Sequence, residues 1–323
     1  MANFQYTADL INYILIRARE PSNSAFLPQA LVYLNEAYMD LCQGGGAFIP
    51  QGQIDWLWLR KSPPGVLTLQ PIIQAGTATV VHGSTSVTLS VAPTPSVVGR
   101  FFRVLSHPDV FRVAAHTAGA TAVTLDSPYT GPGAAGMASK LLALEYPLAP
   151  DMLRLTGAFR GYRGDSYLGR YEVPIIDLGQ MERAWPLSQI ESGVPSRAAW
   201  VTEDTVRFNR AGGVTSTDLH RLEYDYLVRP PLLTLPGTIE EPLVPIERRY
   251  VLAQMALVAL WEDKNDERRT EMASQVQSAI ASMIKAYGYQ VFISDPTFAQ
   301  IAPRRQLRAR RGPLRTESGL LLG

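Results

Sequence analysis

The chain has 323 residues, 46% hydrophobic and 18% charged, with 25 Gly, 24 Pro and a net charge of +1. That is the composition of a soluble globular protein rich in turns, long enough for a full core and two structural units. A single cysteine, Cys42, excludes an intrachain disulfide and any cysteine-built metal site, which fits a reducing compartment.

No run of 18 apolar residues occurs, and the opening MANFQYTADLINYILIRARE lacks the basic start and small-residue cleavage site of a secretory signal. Neither export nor a membrane is expected. Charge is divided unevenly. From Ala302 onward there are six Arg and one Glu, a net +5, so residues 1–301 carry −4.

In chain order, TADLINYILIRARE places Leu10, Ile11, Ile14, Leu15 and Ala18 on one helical stripe, with Thr7 as N-cap and Pro21 as stop. SAFLPQALVYLNEAYMDLC repeats the pattern through Leu31, Leu34, Tyr38 and Leu41 and ends at Gly44–Gly46. Residues 66–230 then read as β. ATVVHGSTSVTLS alternates around a His-Gly-Ser-Thr turn, which predicts a hairpin. GRFFRVLSHPDVFRVAAHTAGATAVTLDSPY predicts three more short strands, and DTVRFNRAGGVTSTDLHRLEYDYLV another pair.

Helical spacing returns in PIERRYVLAQMALVALWEDK, opened by Pro245. Its apolar residues Val251, Leu252, Met255, Val258, Ala259 and Trp261 exceed a narrow stripe, so burial on more than one side is expected. NDERRTEMASQVQSAIASMIKAYG has Met272, Val276, Ile280, Met283 and Tyr287 on one face. Asn265 or Asp266 would cap its start, and Gly288 would sit at C′.

None of these helices can bury its stripe alone. The fold class expected is therefore α+β: a four-helix bundle from N- and C-terminal helix pairs, with a large inserted β-rich domain and an extended basic C-terminal tail. The corresponding segments are 1–60, 61–235, 236–290 and 291–323.

Motifs for chemistry are weak. GPGAAG at 131–136 matches a dinucleotide fingerprint, but Pro-containing stretches flank it where a strand and a helix are needed, so a turn between strands is expected. His82, His107, His116 and His220 are scattered without metal-ligand spacing. Glu262, Asp263, Asp266 and Glu267 beside Arg268 and Arg269 read as a solvated helix junction rather than a paired-carboxylate site. No nucleophile elbow, zinc-helix or phosphate-loop motif occurs. An enzyme built on the β region has no motif behind it. No catalytic residue, cofactor or metal is expected.

Two groups point to binding. Trp56 and Trp58, and Tyr162, Arg163, Tyr167, Arg170 and Tyr171, mix aromatics with arginine. Such sets occur at subunit or partner interfaces, in structural packing, and in nucleic-acid binding. The end of the chain carries Arg304, Arg305, Arg308, Arg310, Arg311 and Arg315, then Leu320, Leu321 and Leu322. Pro296 and Pro303 keep the last helix from running into it. A docking peptide, a nucleic-acid arm and a solubilising tail all share this composition.

The order of segments resembles the head-to-tail adaptor (connector) proteins of tailed bacteriophages. TADLINYILIRARE with LVYLNEAYMDLC is similar to the family's opening helix pair. ATVVHGSTSVTLS, VFRVAAHTAGATAVTLDSPY and YPLAPDMLRL are similar to a β module found in many such proteins. HRLEYDYLVRPPLLT resembles the stretch leading to an Arg-Pro-Pro exit, and VPIERRYVLAQMALVALWEDKNDERRTEMASQVQSAI the closing helix pair.

The resemblance covers roughly residues 5–290 and rests on order and spacing. It implies a structural virion protein without catalytic residues, assembled in the bacterial host cytoplasm and located at the head–tail junction. Twelve copies would form a homo-oligomeric ring under the portal protein, extend the DNA channel, and offer a platform to downstream tail or tail-terminator proteins. Genomic DNA would pass without sequence-specific binding, and no membrane is involved. The closing helix pair favours an adaptor over a stopper or tail terminator. The tail from Arg304 to Leu322 would dock on the portal. The runner-up is a nucleic-acid-binding protein with a basic C-terminal arm.

Overall fold

The computed structural model describes residues 4–19, 26–44, 46–49, 54–163, 166–213, 220–234, 241–264 and 266–290, the side chains of 163–169 and 289–290 excepted. Two helices come first, α1 (Thr7–Ala18) and α2 (Leu27–Gln43). Next are β1 (Ile54–Trp56) and a 3-10 turn at Leu57–Leu59. Strands follow: β2 (Gly65–Thr68), β3 (Thr77–Val80), β4 (Ser86–Leu89), β5 (Phe101–Val104), β6 (Val110–His116), β7 (Ala122–Leu125) and β8 (Ala134–Leu142). β9 (Glu145–Pro147), β10 (Met152–Leu155), β11 (Phe159–Arg163), β12 (Ser166–Val173) and β13 (Ile175–Ile176) lead to α3 (Leu178–Ala184). β14 (Ala198–Trp200), β15 (Thr205–Phe208), β16 (His220–Tyr224) and β17 (Tyr226–Val228) precede α4 (Tyr250–Asp263), α5 (Arg268–Tyr287) and β18 (Gly288–Gln290).

These elements sort into two compact units, Met1–Ser62 with Leu227–Gly323, and Pro63–Tyr226. In the first, α4 is the centre. Val251 to Ala253, Met255 to Val258, Leu260 and Trp261 are all buried, so this helix has no solvent stripe. A helix apolar all round must be enclosed. α1, α2 and α5 each pack on it, α1 and α2 also pack on each other, and α5 continues onto β1, which pairs with β18.

Hydrogen bonds seat the chain around this core. Asn35 donates to the Leu233 carbonyl at 3.0 Å and accepts from the Leu233 amide at 2.8 Å. Buried Arg249 donates from Nε to the Val244 carbonyl at 2.9 Å and from Nη1 to the Gln5 carbonyl.

The expected four-helix bundle with an inserted β domain is corrected here. In such a bundle each helix packs on two neighbours around a shared core. α5 instead packs among the helices mainly on α4, and meets α1 through Arg268, whose Nη1 donates to the Arg17 carbonyl at 3.4 Å. Strands also dominate the described residues, eighteen against five α-helices, with a closed six-stranded barrel among them. The molecule is mainly β. Periodicity reports that a helix face is buried, not what covers it.

Helix ends differ from the pattern as well. Tyr6, not Thr7, is the N-cap of α1, and its amide donates to Asp9 Oδ2 at 2.9 Å. Thr7 is buried inside the first turn. Arg19 ends α1 in the left-handed region at φ 63°. Gly288 caps α5 with extended backbone at φ −98°, because the chain turns directly into β18.

In the second unit, β3-β4-β7-β6-β5-β8 close into a barrel. Alternation does the sorting: β3, β4 and β7 each read exposed-buried-exposed-buried. Ala78, Val80, Val87, Leu89, Phe102, Val113, Val123 and Leu125 fill the interior. Closure removes the exposed edges that would invite pairing with another chain.

Beside the barrel stand two four-stranded sheets, β12-β11-β16-β2 and β13-β14-β15-β9. In the first, two glycines face tyrosines across the register, Gly161 against Tyr171 and Gly65 against Tyr224. A Cβ at Gly161 would lie 2.1 Å from the Tyr171 ring, so the ring occupies the space a side chain would need.

Candidate interaction surfaces

The tryptophans predicted as interface residues form an internal stack of the first unit. Trp56 is 1% exposed and its Nε1–H donates to the Leu41 carbonyl at 2.6 Å. Its ring stacks on half-buried Trp58 at 4.3 Å, and Trp58 meets the Tyr287 ring edge-on at 5.7 Å. The Tyr287 hydroxyl donates to Glu247, which raises the phenol's pKa and lowers the carboxyl's. Behind this stack Cys42 is fully buried, and burial pushes its thiol far above the usual range. Such a thiol is inert.

The second aromatic group lies in the other unit, on β11 and β12. Tyr162 and Tyr171 point to opposite sides of the sheet. Tyr162 is 6% exposed, donates to Glu223 Oε2 at 2.9 Å and lies under the Arg170 guanidinium at 5.3 Å. Arg160 pairs with Asp225 through two hydrogen bonds, at 2.9 and 3.2 Å. Tyr171 covers Gly161, and its hydroxyl is 3.1 Å from Nδ1 of buried His220. Burial raises the Tyr171 pKa. Arg163 and Tyr167 belong to β11 and β12, but their side chains fall outside the described residues. Arg304, Arg305, Arg308, Arg310, Arg311, Arg315, Leu320, Leu321 and Leu322 lie outside them altogether.

GPGAAG runs into strand β8 rather than a helix, with Gly131 close against Tyr129 and His107. The histidines serve local geometry. His82 Nδ1 is 3.1 Å from the Gly131 carbonyl. His116 accepts from the Val97 amide at 3.3 Å and has Nε2 3.0 Å from the Ala120 carbonyl. Among the described residues no three His, Cys, Asp or Glu side chains are grouped to hold a metal. No described helix is long and apolar enough to cross a membrane. At the α4–α5 junction Arg268 hydrogen-bonds Asp266 and pulls its carboxyl down to about 2, while Arg269 pairs with Glu262 at 3.0 Å.

Two features were not read from the sequence. One is a set of arginines that fixes elements of the second unit to one another, within a sheet and between the barrel and its surroundings. Arg207 on β15 donates from Nε and Nη2 to Glu145 Oε1, at 3.0 and 2.7 Å, and from Nη1 to Glu182 at 2.8 Å. Arg112 on barrel strand β6 reaches the other Glu145 oxygen at 3.1 Å. Arg100 donates to the Pro71 carbonyl at 2.8 Å and to Gln70 Oε1 at 2.6 Å, and burial lowers its pKa. Arg207 and Glu145 are 62 residues apart, and no spacing rule links them.

The other feature is a groove of about 720 Å³ between α2 and α4. Val32 and Ala259 line it, and Glu36, Glu262 and Asp263 supply three carboxylates. Tyr33 donates its hydroxyl to Asp263 across the groove, and this bond is the first cause of the raised Tyr33 pKa. No cation among the described residues pairs with Glu36.

No family model matches the chain, and no curated protein matches it.

Proposed function

We propose that this chain is a structural virion protein, a head-to-tail adaptor of a tailed bacteriophage. It assembles as a homo-oligomeric ring under the portal, extends the DNA channel and presents the platform that tail proteins bind. It acts at the virion neck after assembly in the host cytoplasm, and it performs no catalysis. The order of segments that resembles the adaptor family supports this reading, and so does the use of its polar side chains. Arg100, Arg112, Arg207 and Arg249 are spent on fixing one element against another.

The observation that carries the proposal is the partition of charge, −4 on residues 1–301 and +5 on the rest. A mildly acidic body suits a conduit, because a basic wall would hold the duplex through counterion release. The arginines suit docking, because a planar guanidinium makes bidentate bonds to carboxylates. Leu320 to Leu322 would then fill an apolar groove on the portal.

The test is deletion of residues 302–323, with portal affinity measured over a salt series. Loss of affinity and of its salt dependence is expected; unchanged values would remove the docking role. The same six arginines favour a second reading, a nucleic-acid arm. That reading prevails if the deletion abolishes duplex DNA binding and leaves portal binding intact.

A further inference from the structure

We draw no further inference here: the strongest candidate, the outer face of the barrel on β3, β4 and β7, where Thr77, Thr79, Ser86, Thr88, Ala122 and Thr124 stand exposed with no charged side chain among them, carries nothing, because nothing in the structure shows what covers it.

Discussion

The two units differ in their internal packing. Around α4 it is apolar: Leu252, Ala253, Ala256 and Leu257 are sealed by neighbouring helices. In the second unit an ionic cluster joins the apolar packing: Arg207 and Glu145, cross-strand neighbours on β15 and β9, share two hydrogen bonds, and barrel residue Arg112 reaches the same carboxylate. The difference follows from geometry. A helix can be apolar all round because its backbone is satisfied internally, so neighbours pack on any side. A closed barrel turns alternate side chains outward, and here they meet other elements in both ways: Phe101 and Leu142 pack with Ile190 and Ala211, and Arg112 pairs with Glu145.

Breaking the ionic tie should have the largest effect. Arg207→Leu leaves Glu145 buried with Arg112 as its remaining partner, and a stability loss of about 3–5 kcal/mol is expected in denaturant unfolding. Glu145→Gln should cost less, because Gln keeps an acceptor and Arg207 keeps Glu182 at 2.8 Å. On the apolar side, Leu252→Ala removes a fully buried side chain and should cost about 2–5 kcal/mol, whereas Met272→Ala on half-buried ground should cost visibly less.

A third substitution probes the sheet next to the barrel. Gly161→Ala drives a Cβ into the Tyr171 ring and should cost about 1–3 kcal/mol. Tyr171→Ala in the same chain should recover part of that loss, a coupling a double-mutant cycle reads directly. The smallest effect has the opposite sign. Arg19 is the one described residue other than glycine with positive φ, and Arg19→Gly should raise stability by about 1 kcal/mol.

Much of the local structure was legible because a single periodicity carried it. The hairpin of β3 and β4, the run β5–β7 and the helical stretches around α1 and α4 all lie where alternation or helical spacing placed them. Partners were not legible. Nothing in the spacing of Met272, Val276 and Ile280 says that α5 packs chiefly on α4, so a bundle was expected and a helix enclosed by its neighbours was found. Very short strands such as β9, β13 and β14 hold too few residues to show alternation.

Trp56 illustrates the limit for sites. Aromatic-arginine composition marks both interfaces and cores, and only its 1% exposure assigns it to the core. The groove residues Glu36 and Glu262 are two exposed acids on helices far apart in sequence, indistinguishable from solvated charge until α2 and α4 are side by side.

The central claim is that copies of this chain form a ring on the portal. Electron microscopy of the purified full-length protein mixed with portal rings, combined with native mass measurement of the complex, tests it most directly. The account predicts a continuous ring of adaptor density on one face of the portal, about twelve copies by mass as the family resemblance implies. One or two copies per portal, or no binding at low salt, would contradict it.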